Sequence, residues 1–574
     1  MLRLYARATG WLCVPNVERR IALLAFVLAL PSLSMGLHVD DYFLRNNLLQ
    51  RGPLAAYSFV SRDPQAAHAR LLEERTAGRA PWWADEQPRA SFFRPLSSLS
   101  LWLDFSNGAP LWWMHLQNCA IYAVLVWLAI ALYRQLGLSD AGLGWTAVFF
   151  GLDAPVAQSA GWIAGRDTLL AVCFGLACIL IHDRARRAGR PLLLALAGLC
   201  FALSLLSAEL GLCTLGYLSA HALSVDRGSP AQRVLALVPY GLVTGGYLAH
   251  YVSAGYGFSD GGIYRDVMSA PGAAALAWLG SLPVWLATTV SLPIASFQFL
   301  VPDLHVPLLV FSLGVLAVVL PLLGPRAIRE PHERMFAIGA VLSLVPLAAT
   351  LPQERLRFFV AFGVFGLLGP WIAGNFEARG RLRRTLARSL WRVHGVWLPL
   401  LFVPFLFSIS SLSKPVHALD QALPRASAPI AILLNPPLWA VPTLLTLLRS
   451  TRGEVAPPVF ALYAGSQPLE IQRVDERSLE LHNARSWFAT PFEQHVRNVA
   501  HAPFRNGDRI AIAHCTVEVR EVDPAGAPTR VRFTFERSLD DRELAFHCWQ
   551  GSQLVAWKPP PIGGRVQLLA AGAF

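Results

Sequence analysis

Charge is what this sequence is shortest of. Asp, Glu, Lys and Arg together make up 15% of its 574 residues, against 54% hydrophobic. That is too little charge to coat a soluble protein of this size. The eight cysteines include no C-x-x-C pair, which removes the commonest spacing for a zinc or dithiol centre. No internal repeat is visible, and no small-residue cleavage site follows the first apolar run, so that run reads as a retained helix. Six of the cysteines lie in or near apolar segments and read as packing residues.

What is present is a series of apolar runs from Ile21 to about Leu412, separated by short loops rich in arginine. The net charge of +12 therefore reads as positive-inside bias and not as a nucleic-acid footprint. Arg3, Arg7, Arg19 and Arg20 against Glu18 place the N-terminus in the cytoplasm. Ile21–Leu37 is long enough to cross a bilayer and exits at the adjacent acids Asp40 and Asp41. The loop over 38–110 is then outside. Its Pro81-Trp82-Trp83 and Ser91–Leu96 pieces suit a segment lying on the bilayer interface.

Further spans are expected at about 111–133, 143–160, 168–182, 191–207, 210–223 and 234–252, and later at about 306–324, 335–351, 358–374 and 396–412. Between the two sets, Ala273–Ala295 is interrupted by Pro283 and Pro293 and reads as an interfacial segment or two short spans. The fold expected is an all-α polytopic bundle over 1–414 with about eleven to thirteen helices. The basic loops at Arg184–Arg190 and Arg379–Arg392 are then cytoplasmic, in an inner membrane.

Residues 415–574 change character. Short β-branched runs alternate and are broken by turns, as in Val517–Arg520 and Val531–Phe535 on either side of Asp523-Pro524-Ala525-Gly526. This predicts an extracytoplasmic β-rich domain. Ile430–Leu434 is read as a buried strand followed by a short helix, because Asn435-Pro436-Pro437 would break a span. Cys515 and Cys548 fall on two predicted strands of a compartment that permits a disulfide.

By this topology Asp40, Asp41, Arg94, His115, Arg166, Asp167, Glu209, Arg355 and Arg357 all return to one face of the membrane. Each alone is an ordinary interfacial residue; together they make a polar site at the mouth of a bundle. Asp153, inside the predicted third span, is either part of that site or the quiet partner of an arginine.

Four stretches carry a family resemblance. His38–Asn47 (HVDDYFLRNN) resembles the first-loop acidic motif of the GT-C superfamily of membrane glycosyltransferases. Ser91–Phe105 with Pro110–Tyr122 resembles the RPL…HLxN segment of its transmembrane O-mannosyltransferases with tetratricopeptide repeats. Trp162–Leu180 resembles their WxxGRxDLL segment, and Ser207–Leu210 their S-K-E motif. The lysine of that motif is Ala208 here, and no such repeats follow.

The resemblance implies a hexosyltransferase that moves a sugar from a polyprenyl-phosphate donor in the bilayer to an extracytoplasmic acceptor. Asp40 and Asp41 would bind or deprotonate the acceptor, or help hold a divalent metal ion. Arg94, Arg166, Arg355 and Arg357 would hold the donor phosphate, for which the guanidinium fork is suited. Two other readings stay open: a catalytically silent envelope protein that presents its β domain, and a transporter, although transporters favour midplane charges and repeats.

Overall fold

The computed structural model describes residues 2–572 apart from 260, 268, 293, 302 and 425–428. A helical bundle is followed by a strand-rich C-terminal unit. Among the described residues, seven helical stretches are long and apolar enough to cross a membrane: Leu111–Gln135, Ile163–Ala188, Pro271–Val290, His305–Arg329, Pro331–Ala349, Phe358–Asn375 and Arg381–Ala422. Pro191–Ser207 is apolar but shorter.

Seven is fewer than the expected eleven to thirteen, and breaks in the first and third predicted spans account for two of those missing. The first apolar run is α-helical only over Val17–Ala29 and tightens into a 3-10 turn, Leu30–Ser34, at Pro31. The third predicted span is two helices, Asp140–Gly151 and Ala154–Gly161, with Pro155 opening the second. Asp153 is therefore the residue between two helices, not one inside a helix. Proline tolerates the first turn of a helix, where its missing N–H has no partner to lose.

Pro271–Val290 runs unbroken through Pro283, where an interruption was expected. Its end is deep in the bundle. The Val290 carbonyl sits 2.8 Å from Nε2 of His394, whose ring packs on Phe149 and Phe365. Five residues later the Ala295 N–H bonds the Glu354 carboxylate, and the Phe299 carbonyl accepts from Phe492 of the C-terminal unit at 3.4 Å. The helix end and the stretch after it thus meet one short turn of the chain, Arg357 through the Thr288 carbonyl and Glu354 through the Ala295 N–H.

Aromatic side chains fill the core. Tyr133 and Tyr217 bury their rings against Phe336, Phe359 and Phe362 and donate their hydroxyls to the carbonyls of Phe362 (2.5 Å) and Phe359 (2.6 Å). A buried hydroxyl needs such an acceptor. Gly363 permits the close approach, since a Cβ there would meet the Tyr217 hydroxyl at 2.5 Å.

The C-terminal unit has two sheets. Ile430–Leu433 pairs in parallel with Val459–Ala461 and with Leu544–Gln550, and Gln553–Trp557 completes a four-stranded sheet. Ile430–Leu433 and the helix Val441–Ser450 are the buried strand and short helix expected from the sequence. The second sheet has six antiparallel strands, and Val517, Val519, Val531 and Phe533 point to its core as their alternation predicts.

Two expectations are corrected. Trp82 and Trp83 do not lie on the bilayer interface. They are buried among Trp487, Phe504 and Phe533, and Trp82 donates its indole N–H to the Leu462 carbonyl at 2.9 Å. An indole at a lipid interface and one in a protein core have the same local sequence. Cys515 and Cys548 are not bridged. Both are buried free thiols, Cys515 in the six-stranded sheet opposite Phe535 and Cys548 in the four-stranded sheet opposite Val555. Alkylation of the unreduced, denatured protein is expected to modify both; a mass lacking both adducts would restore the bridge.

Candidate active site

The site forms where the first long loop, the end of the bundle and the C-terminal unit meet. The helix Asp40–Arg51 opens at its centre, and the residue before it is strained. Val39 has φ +42° and ψ −102°, a region that a β-branched residue enters only when its surroundings impose it. An ordinary position ranks alanine above glycine by about 0.5–1 kcal/mol. Here the order is expected to reverse, with Val39→Gly melting above Val39→Ala in detergent. Equal or opposite melting temperatures would remove the claim of strain.

The two acids that follow have different surroundings. Asp41 is fully buried, and its two carboxylate oxygens accept the backbone N–H groups of His38 (2.9 Å) and Ala164 (2.8 Å). Burial pushes its carboxyl up and those two amides oppose the rise. Asp41 thereby ties the loop to the turn Ile163–Gly165 that precedes Arg166. Asp40 is half-buried and accepts no hydrogen bond from any described residue. Burial pushes its carboxyl up; Arg355 pulls it back, Asp167 adds to the rise and Arg94 opposes it. A carboxyl raised in this way holds a proton more tightly than an exposed one, which suits a proton acceptor.

The arginines also separate. Arg94 donates to Asp167 at 2.5 Å and to Glu209 at 2.7 Å, and lies over the rings of Tyr57 and Phe92. Burial works against its charge, but Glu209 and Asp167 hold the guanidinium above its usual value. Arg166 is fully buried and bonds Asn118, Asp104, Ser100 and the Met114 carbonyl, which uses its whole fork. Arg357 grips Asp153 with both terminal contacts at 2.7 Å and bonds the Thr288 carbonyl at 2.8 Å. Asp153 is thus the partner of an arginine. Arg355 differs. It bonds only neutral groups, Gln353 at 2.8 Å and the Tyr264 hydroxyl at 3.1 Å, over the Trp162 ring, with no ion pair among the described residues.

His115 is fully buried, and neither ring nitrogen meets a hydrogen-bond partner of good geometry. It stands near His38, which burial, His115 and His417 push down to about 4. A metal does not fit the first-loop acids. Among the described residues no group of three or more His, Cys, Asp or Glu side chains is gathered for one, and both oxygens of Asp41 face N–H donors.

Sequence reasoning missed Tyr57, Tyr264 and His495. Tyr57 lies under Arg94, and Tyr264 holds Arg355. His495, from the C-terminal unit, packs on Tyr264 and is held down to about 4 by burial and by Arg355. The Gly- and Tyr-rich stretch around Tyr256–Asp266 was the one signal for this wall. Neither a scan against models of known families nor a search of curated proteins finds a match to this chain.

Proposed function

We propose that this membrane protein is a glycosyltransferase that takes a sugar from a polyprenyl-phosphate donor and places it on an extracytoplasmic acceptor. The observation that carries the reading is the contrast at one spot: among the described residues, a half-buried carboxyl without a hydrogen-bond partner, Asp40, beside an arginine without an acidic partner, Arg355. A phosphate supplies the charge that Arg355 lacks, and a hydroxyl supplies the proton that Asp40 can accept.

In the step proposed, the acceptor oxygen attacks the anomeric carbon. The bond from that carbon to the phosphate oxygen breaks, and the polyprenyl phosphate leaves with the electron pair. Asp40 takes the hydroxyl proton, and Arg355 stabilises the charge that develops on the leaving phosphate. Arg94 acts at one remove, holding Asp167 and Glu209 in place. The chain sits in the inner membrane with the β unit outside. The exposed Arg379, Arg381 and Arg383, near the Tyr5–Phe376–Trp391 stack of the N-terminal helix, then face the cytoplasm.

The test is incubation of purified protein in lipid nanodiscs with a panel of polyprenyl-phosphate sugars, following release of the polyprenyl phosphate. Arg355→Ala is expected to weaken donor use strongly and Arg355→Lys less so. No turnover of any donor would favour the silent envelope reading. That reading draws on Arg94, Arg166 and Arg357, all locked to acids as a scaffold would lock them.

A further inference from the structure

A run of aromatic rings leaves the Asp40–Arg355 pair and passes into the C-terminal unit. Phe92 stacks on Phe258 at 6.3 Å, Phe258 meets Tyr264 at 4.9 Å and His495 at 5.1 Å, and His495 stacks on Trp439 at 5.9 Å. Its near end carries two guanidinium groups, Arg94 over Phe92 and Arg355 on the Tyr264 hydroxyl. The rings come from four separate stretches, yet each stays half-buried. A cluster that served only to glue the units together would close over its rings.

Two polar atoms in the strip, Nδ1 of His495 and the indole nitrogen of Trp439, are buried without a hydrogen-bond partner among the described residues. Such atoms are costly unless a ligand or water completes them. The strip is also held firmly. Phe258 and Gly257 pair as a short strand with Ala90 and Ser91, and Tyr264 bridges to Thr350. Gly262 has φ +54° and lies so close to the Pro491 carbonyl that no side chain fits between them.

We propose that this strip is a carbohydrate subsite: Phe258, Tyr264, His495 and Trp439 take the apolar face of a pyranose ring, and the C-terminal unit thereby completes the site. The inference rests on the glycosyl-transfer reading. Sugar C–H groups carry partial positive charge and are drawn to the negative faces of aromatic rings. An apolar wall with a few placed donors is the usual composition of a small-ligand site. His495 is neutral at physiological pH, so its ring offers one donor and one acceptor to sugar hydroxyls.

The experiment is saturation-transfer NMR on the full chain in nanodiscs with methyl glucoside, methyl galactoside and methyl mannoside. Ring-face protons of at least one pyranoside are expected to receive saturation, at wild-type level in Asp40→Asn and at background in a Trp439→Leu, His495→Ala double variant that melts like the wild type. Phe258→Leu gives the same comparison if the double variant does not fold. Displacement by a prenyl-phosphate sugar would assign the subsite to the donor sugar; persistence beside it would assign it to the acceptor. Saturation of no pyranoside, or saturation unchanged in the variants, overturns the subsite. Saturation without transfer from any donor would sink the transferase reading and keep the subsite, whereas transfer without saturation would do the reverse.

Discussion

Asp40→Asn is expected to reduce sugar transfer by about 10²–10⁴-fold, the range for loss of a positioned general base, in a protein that folds and inserts normally. The half-buried Asp40 carboxyl contributes no hydrogen bond to the fold among the described residues, so its replacement removes no fixed contact. Its pKa is raised in the folded state, and the sign of the linkage follows from that. Below its ordinary value of 3.8 both folded and unfolded forms are protonated, and Asp40 leaves stability unchanged. As pH rises past that value the unfolded chain loses the proton first, so the ionising group works against the fold. Asp40→Asn is therefore expected to melt at the wild-type temperature in acid and at or above it at neutral pH.

The neighbouring acid is expected to behave the other way. Asp41→Ala orphans the buried N–H groups of His38 and Ala164, and at roughly 1–3 kcal/mol for each unsatisfied donor it lowers the melting temperature. Activity then falls through misfolding and follows the folded fraction. Measuring transfer and melting together separates the two acids. Full transfer in Asp40→Asn, with transfer lost from a well-folded Asp41→Asn, would move the base to Asp41. The wild-type activity profile is a companion check: its acid limb is expected above the ordinary carboxylate range, because Asp40 must be ionised to accept the proton.

The second large effect is expected at Asp153 and Arg357. The pair is almost wholly enclosed, with side-chain exposures of 1% and 3%. Removing one member of a buried pair leaves the other charged and unpaired, which costs about 3–5 kcal/mol. Arg357→Met and Asp153→Leu should each lower the melting temperature sharply or abolish folded protein. The double variant Asp153→Leu, Arg357→Met removes both charges and should recover most of the loss, as apolar replacement of a buried pair often does. Single variants as stable as wild type would show that the pair is not a strut. A double variant that is stable yet inactive would return Arg357 to the donor-phosphate site, where the sequence first put it.

These contrasts mark how far the sequence could be read at the site. It put Asp40 and Asp41 just past the end of the first apolar run, and there they open the helix Asp40–Arg51. It could not tell them apart, since the difference lies in the Ala164 N–H, which is far away in the chain. The four arginines were likewise equivalent in sequence. Three met acids from other segments, Asp167 and Glu209, Asp104, and Asp153, and one did not. His495 lay outside any motif and reaches the site only because the C-terminal unit packs on the end of the bundle.

Local chemistry alone determined that the chain is an apolar helical bundle with a strand-rich end, and where many of the helices and strands run. Those features depend on composition and on periods of two and about 3.6 residues, which are written along the chain. Helix ends at Pro191 and the buried strand Ile430–Leu433 followed from such short-range rules. Only the tertiary structure decided that Trp82 enters a protein core, that Cys515 and Cys548 belong to different sheets, and that the Ala295 N–H meets Glu354. The same holds for the absence, among the described residues, of a hydrogen-bond partner for the Asp40 carboxyl and of an acidic partner for Arg355. In each case the outcome depends on which distant group supplies a hydrogen bond, a counter-charge or a packing face, and a residue's own neighbours in sequence do not carry that information.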